Sequence, residues 1–297
     1  MTETQEQPAA IAKVWDQQSV WSQSANKLKA TVEGARTLAL VLGIAAAALG
    51  TAAAQTMDWN STVGTVLAFA AAAAAGAAPI AAQRGGPGRL SDWTRLRAVS
   101  EALKAEVYTC LARVGPYQQA ADASALLAER CRSYRTDGGD LVRYTTGVAP
   151  VARQLPAVKD IDSYVDHRLR RQIETYYRPK AERMHRNLQR VGRIEAVLGG
   201  LGAVLAAAAG AFAMGALAAW VAVAASVSVA VTAHAVAQRY AYQHLEFLRT
   251  AEELERLLDR WTSESAHTPE RAEAFVAECE HVISIQNEAW MIRWTVG

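Results

Sequence analysis

The sequence predicts an all-α integral membrane protein with four transmembrane helices, arranged as two tandem helical hairpins with long cytoplasmic helices. Charge distribution is the first observation: the 297-residue chain keeps nearly all its Asp, Glu, Lys and Arg in residues 1–36, 84–193 and 239–297. Length is the second, because the almost uncharged blocks 37–83 and 194–238 each suffice for two bilayer crossings of roughly 20 residues. The third is that the two blocks resemble one another, as expected for an internal repeat.

The first apolar block predicts two spans, over residues 37–57 and 62–82. The polar sequence DWNS separates them and places a tryptophan at the expected depth of a membrane interface. A buried Ala-rich hairpin in a soluble bundle is the alternative, since alanine is only weakly favourable in lipid. A soluble helix of this length needs a solvated face, which none of the four segments has, so the pattern favours insertion into a membrane.

The second apolar block predicts spans over residues 194–214 and 216–237. Met214 and Gly215 form the expected turn, and Trp220 is expected near the interface. Positive charges flank both hairpins at their entry and exit, while neither short turn contains Lys or Arg. The positive-inside rule therefore predicts cytoplasmic termini and a cytoplasmic middle region, with membrane-edge cations at Arg36, Arg84, Arg193 and Arg239.

The two hairpins align as copies of one unit. ARTLALVLG at 35–43 parallels GRIEAVLGG at 192–200, and IAAQR at 80–84 parallels AVAQR at 235–239. Both copies enter from the same side, so the repeat is parallel, which is less typical of secondary transporters than an inverted repeat. The predicted organisation is a disordered N-terminus (1–13), a first two-span unit (14–131), a linker (132–157) and a second two-span unit (158–297).

Helical periodicity extends into the charged segments. Residues 90–114 and 241–261 carry apolar residues at helical spacing, and 158–193 does so with one interruption expected at Pro179. Near the end, Thr268 is expected to cap a helix that has Pro269 at its first position. Each unit is thus predicted to be two spans flanked by cytoplasmic helices.

Certain residues carry a resemblance to a known family. VWDQQSVWSQSANKLKATVEGAR before the first span and WTRLRAVSEALKAEVYTCLARVGPYQ after the second resemble bacterial SLATT-type proteins, two-helix membrane domains associated with SMODS and SLOG systems. YYRPKAERMHRNLQRVGR, which leads into the second hairpin, is similar to the same family. The resemblance implies a bacterial membrane effector, a pore that partner proteins or nucleotide signals trigger in a conflict or stress system.

The sequence contains no motif that indicates catalysis or the binding of a cofactor. QRGGPGRL at 83–90 lacks the spacing of a phosphate-binding loop, and no nucleophile elbow or zinc signature is present. The two E-x-x-H pairs, Glu182/His185 and Glu278/His281, are attributed to chance on charged helices rather than to a di-iron site. We therefore expect no enzyme, no cofactor and no metal site, and the net charge of +2 gives no reason to expect a nucleic-acid partner.

The functional candidates lie within or beside the spans. Polar groups suggest pore-lining or gating roles for Ser228, Thr232, His234 and Glu195. His234 is equally explained as a solvated interface residue. Small residues at four-residue spacing allow close helix contact, either inside each hairpin or between subunits around a pore. The glycines concerned are Gly43, Gly50, Gly199 and Gly210.

The predicted function is an oligomeric pore or ion-conducting effector in the bacterial inner membrane, gated through its cytoplasmic helices. Four thin helices cannot enclose a pore alone, so conduction requires a homo-oligomer. The expected partners are the lipid bilayer, further copies of the chain and a cytoplasmic regulatory protein or nucleotide-signalling protein. A non-conducting membrane anchor that recruits cytoplasmic partners is the alternative.

Overall fold

The computed structural model describes residues 3–264 and 266–295, with side chains at 9–264 and 266–284. Within these residues the chain is helical and forms no strand. The helices are α1 (Glu3–Thr56), α2 (Ser61–Arg84), α3 (Pro87–Ala112), α4 (Ala123–Asp137), α5 (Val142–Thr145), α6 (Ile161–Tyr164), α7 (Arg178–Ala211), α8 (Gly215–Gln238), α9 (Tyr240–Ser263) and α10 (Pro269–Thr295). Short 3₁₀ turns lie at Gly115–Tyr117 and Gly139–Leu141.

The apolar blocks form two hairpins at the predicted turns. Asn60 ends the first turn and caps α2, because its Oδ1 accepts a hydrogen bond from the Val63 amide at 3.1 Å. The second turn passes through Ala213, whose φ of 50° lies in the left-handed region, before α8 begins. Four helical stretches are long and apolar enough to cross a membrane, so the chain is an all-α, multi-pass membrane protein.

By its contacts the chain divides into two compact units. The polar unit comprises residues 1–29, 87–181 and 245–297, and the apolar unit comprises 30–86 and 182–244. Each unit therefore combines segments from both predicted repeats. The charged amphipathic helices pack against one another in the polar unit, and the apolar helices pack against one another in the apolar unit. The repeat boundaries at 14–131 and 158–297 stay a prediction.

The core of the polar unit is built around α3. This helix packs against α4, α6 and α10, and its contact with α10 is more extensive than those with α4 and α6. Leu96, Leu103 and Val107 of α3 are fully buried, as are Phe275 and Val276 of α10. Burying side chains of this size stabilises the fold by about 1.5–3 kcal/mol each.

Three segments differ in detail from the sequence pattern. α1 begins at Glu3, within the segment 1–13 predicted to be disordered, of which residues 1–2 lie outside the described residues. The predicted linker at 132–157 contains the end of α4 and all of α5. Pro179 does not interrupt the helix, because helical backbone continues without a break from residue 161 to residue 211. The irregularity lies upstream, in π-helical turns at Val165–Arg170 and Ile173–Tyr177.

Candidate functional site

One face of α7 carries only small residues and a single acid. At about 100° per residue, five side chains on this helix lie within about 80° of one another. Four of them are exposed and Glu195 is partly exposed. A Cβ atom added at Gly199 or Gly210 would meet nothing within 4 Å, so no other part of the chain packs closely there. We call this the small-residue face: Glu195, Gly199, Ala203, Ala206 and Gly210.

The structure brings Glu195 together with one other predicted residue, Thr232. The Thr232 hydroxyl of α8 lies 2.5 Å from Glu195 Oε1 and 3.0 Å from the backbone carbonyl of Ser228. Because a hydroxyl has one proton, the shorter contact with the carboxylate is the stronger hydrogen bond. The Ser228 carbonyl is only the i−4 neighbour of Thr232 within α8, and no contact joins Ser228 to Glu195, so the pore-lining role of Ser228 stays a prediction.

His234 is not part of this arrangement. It lies two residues beyond Thr232 on α8, and positions two apart diverge on a helix. Its side chain is partly exposed, and within the described residues it makes no hydrogen bond to Glu195, Ser228 or Thr232. The pore-lining role of His234 stays a prediction.

The predicted packing glycines fall into two groups. A Cβ atom added at Gly50 would lie 3.9 Å from the Cβ of Ala71, so Gly50 faces α2 within the first hairpin. Gly43, Gly199 and Gly210 face open space. Gly50 is therefore the glycine of this set at which two helices of one hairpin lie close together. The other three face space that lipid or another chain could occupy.

Arg36 has a different environment from the other membrane-edge cations. Its Nε donates to the Gly85 carbonyl and its Nη1 to the Ala237 carbonyl, both at 3.2 Å. These carbonyls lie at the ends of α2 and α8, where a helix dipole favours a cation. Of the others, Arg84 and Arg193 are exposed, and Arg239 forms the left-handed link (φ 53°) between α8 and α9.

A second polar link joins the two hairpins at their turn ends. Trp220 Nε1 donates to Gln55 Oε1 at 3.0 Å, and Gln55 Nε2 donates to the Ala216 carbonyl at 2.8 Å. The sequence predicts Trp220 to be an interface residue, and Gln55 is a polar residue within the predicted span 37–57. Their pairing across 165 positions has no signal in a single sequence.

The polar unit contains a buried ion pair that sequence inspection missed. Arg168, only 1% exposed, donates from Nε and Nη2 to the two carboxylate oxygens of Glu280, at 2.9 and 2.7 Å. The Tyr164 hydroxyl donates to the same carboxylate at 2.9 Å. This group ties α6 and the adjoining π-helical turn to α10. The residues are over 100 positions apart, and nothing in their local spacing indicates the contact.

A second set of charges lies along α3. Arg97 Nη2 contacts Glu101 Oε1 at 2.7 Å. Burial would raise the pKa of Glu101, but the positive charges of Arg97, Lys104 and Arg168 outweigh it and lower that pKa to about 2. Burial lowers the pKa of Lys104 to about 8, against the attraction of Glu101. The clue in the sequence was a charged i, i+4, i+7 series on an otherwise apolar helix face.

A cleft of about 410 Å³ lies between α3, α4 and α10. Glu106 organises its wall, because its carboxylate accepts hydrogen bonds from the Tyr117 hydroxyl (2.5 Å), Arg130 Nε (3.0 Å) and the Tyr134 hydroxyl (3.2 Å). His281 also lines the cleft. This volume is large enough for a small molecule or for a side chain of a partner protein.

The described residues contain no group of three or more His, Cys, Asp and Glu side chains placed to hold a metal ion. In the first E-x-x-H pair, Glu182 contacts Arg186 at 3.4 Å and His185 contacts Gln189 at 3.0 Å. Cys110, Cys131 and Cys279 are buried and form no disulfide. Burial raises the pKa of Cys110 to about 11 and that of Cys131 to about 12, which keeps both thiols protonated and unreactive.

Comparison with known families gives two matches, one in each half of the chain. Residues 164–290 match a family model described as SMODS and SLOG-associating 2TM effector domain 1. Residues 19–125 match a model described as a protein of unknown function, DUF4231. No curated protein and no solved structure matches the chain. Together the two matches support two tandem copies of a two-span unit.

Proposed function

Because the chain belongs to the SLATT-type family of two-transmembrane-helix effectors, we propose that it forms an oligomeric, cation-conducting pore in the bacterial inner membrane. The observation that carries the proposal is the small-residue face of α7, with Glu195 at one end. An ionisable side chain beside hydrocarbon is costly unless it faces protein or water. A single copy leaves Glu195 partly exposed and the rest of the face open.

Oligomerisation would cover this face. The four candidate spans have little of their apolar windows buried within the chain, 17% at most and 0% in the stretch that contains α7. Small residues let helix backbones approach closely, which in lipid is a main source of helix association. Copies arranged about a symmetry axis would place a ring of Glu195 carboxylates at one mouth of the pore.

The trigger is proposed to act on the polar unit, on the cytoplasmic side. The cleft between α3, α4 and α10 offers a binding site for a signal or a partner's side chain. The pairing of Arg168 with Glu280 supports this assignment, because it makes α10 a fixed wall of that cleft. Binding there would change how α10 packs, and a pore would respond if its open and closed states differ in that packing.

Ion selectivity tests the proposed role of Glu195. In reconstituted bilayers we expect Glu195→Gln to keep the oligomer and lower the permeability ratio of cations to anions severalfold, since the ring loses its charge. Glu182→Gln is the matched control, because Glu182 is an exposed acid on the same helix outside the spans. Equal selectivity in the wild type and both variants would contradict a pore mouth at Glu195.

A further inference from the structure

Four arginines form a stripe along α7 on the side away from the small-residue face. Arg183, Arg186, Arg190 and Arg193 are all exposed. Their spacing of three, four and three residues places them within about 80° of one another. The centre of this stripe lies about 160° around the helix from the centre of the small-residue face. We call these four residues the arginine stripe.

The same side of the helix continues into the predicted span as a large apolar surface. Val197, Leu201 and Val204 lie at the same angles as the arginines and are 68%, 50% and 67% exposed. Exposed, bulky apolar side chains on a membrane-spanning helix are suited to lipid. One side of α7 therefore passes directly from lipid-facing apolar residues to the arginine stripe.

Little within the chain neutralises the stripe. Arg186 contacts Glu182 at 3.4 Å, a distance at which an exposed pair contributes little. Among the described residues, Arg183, Arg190 and Arg193 form no ion pair with an acid. Arg190 contacts only the neutral Asn187, at 3.5 Å. Most of the positive charge is thus available to an external anion.

Two contacts within the apolar unit set the depth of each arginine. Glu195 lies beside Thr232, and the His185 ring lies 5.2 Å from the His244 ring. This antiparallel register places Arg193 and Arg190 beside the last turn of α8. Arg186 and Arg183 follow beside the first turns of α9, about 10 and 15 Å farther along the axis than Arg193, at 1.5 Å per residue.

The first copy of the repeat lacks the stripe. With Arg36 aligned to Arg193, the positions that match the stripe are Asn26, Lys29, Glu33 and Arg36. They include one acid, and Arg36 is engaged with helix carbonyls. The stripe is therefore a feature of the second copy and not a general consequence of entering a membrane.

We propose that the arginine stripe binds the phosphate groups of anionic phospholipids. Guanidinium groups bind phosphate in two-pronged geometry, and continuity with the lipid-facing residues places the stripe at the membrane surface. Arg190 and Arg193 contact headgroups directly, because the headgroup layer is only about 5–7 Å deep. Arg183 and Arg186 lie beyond that layer and act mainly through the surface potential, which decays within about 8 Å at physiological salt.

The test measures lipid preference with the full-length protein in phosphatidylcholine vesicles. Spin-labelled phosphatidylglycerol and spin-labelled phosphatidylcholine are compared by the fraction whose motion the protein restricts. We expect the wild type to prefer phosphatidylglycerol. Each arginine near an anionic membrane surface raises the binding constant for an anionic lipid by up to about fivefold. We therefore expect R190Q/R193Q to lose most of the preference for phosphatidylglycerol and R183Q/R186Q to lose less of it. R132Q/R256Q, two exposed arginines of the polar unit, is the charge-matched control and keeps the preference.

Two further measurements keep the outcome decisive. R190K/R193K retains charge and should keep most of the preference, and raising salt should weaken it in the wild type even if the glutamine variants fold poorly. A wild type that restricts both lipids equally would overturn the proposal. So would a preference that R132Q/R256Q abolishes and R190Q/R193Q leaves intact.

Discussion

Arg168 and Glu280 show how a single pair of side chains can hold one helix in place. Arg168 is fully buried and Glu280 is 11% exposed, and the carboxylate also accepts a hydrogen bond from the Tyr164 hydroxyl. Removing one member leaves an uncompensated charge in the protein interior, which costs more than the pair itself contributes. The pair therefore matters most as a constraint on where α10 packs.

Glu280→Ala should lower the free energy of unfolding by about 3–5 kcal/mol. The double variant R168M/E280M should lose much less than the sum of the single changes, because no charge stays buried. Thermal unfolding of the full chain in detergent measures both. Arg132→Ala, which removes the exposed pair with Glu129, is the control and should change little. Additive losses in the double variant would show that the two side chains are not coupled.

Lys104 predicts a pH dependence of stability. Its pKa is about 8 in the folded chain and 10.5 as the ordinary value, so between these values the unfolded chain holds a proton that the folded chain has released. Stability from this group must then rise with pH across that window. Raised cysteine pKa values oppose the trend above about pH 9, so the wild type is compared with Lys104→Met at each pH. From pH 8 to 10, the melting temperature of the wild type should rise relative to that of Lys104→Met. A difference in melting temperature that stays constant over this range would contradict the lowered pKa of Lys104.

Side chains of the candidate site were partly predictable. Glu195 and Thr232 were recognisable because polar residues are rare in apolar spans, and the structure places them in contact. Ser228 was predicted from helical spacing, but it contacts only Thr232 of its own helix and not Glu195. Arg168 and Glu280 were not predictable, because two charges on separate helices give no local sign that they meet.

Among the helices, the spans and their turns followed from the sequence because an uncharged stretch of that length has few alternatives. The helix from residue 158 to 193 was less predictable. Pro179 suggested a break, but the helix continues through it, with a π-helical turn at Ile173–Tyr177 directly upstream. The π-helical turns before it contain Arg168 and Tyr177, which are both buried, and a local sequence pattern does not indicate the burial of an arginine.

The small-residue face of α7 gives a prediction about helix association. G199L/G210L should shift the protein from its oligomer toward smaller species in detergent, because two large side chains would separate the backbones. It should leave the melting temperature of the polar unit unchanged, since both positions face open space within the chain. The mass of the oligomer, measured in detergent or in nanodiscs, tests this expectation.

Gly192→Leu is the control for the glycine variants, as Gly192 is also open but lies before the span. Gly50→Leu should behave differently from both. It faces Ala71 at 3.9 Å and should destabilise the first hairpin itself. An unchanged mass for G199L/G210L would remove the small-residue face from the oligomer interface.

For the molecule as a whole, the repeat and the contacts divide the chain in different ways. The repeat predicts two consecutive copies, and the family matches fall at 19–125 and 164–290 in agreement with two copies. Contacts instead group the charged segments of both copies in one unit and the apolar segments in another. Sequence similarity along the chain identifies copies, whereas only the folded structure shows which segments of different copies pack together.

A pore must conduct ions, and the decisive test is single-channel recording of the purified wild-type protein in a planar bilayer. We expect discrete current steps of uniform size, with a reversal potential under a salt gradient that shows cations to be more permeant than anions. A bilayer that stays silent with protein known to be inserted and folded would contradict the pore. The protein would then be better explained as a membrane anchor that recruits partners through its polar unit.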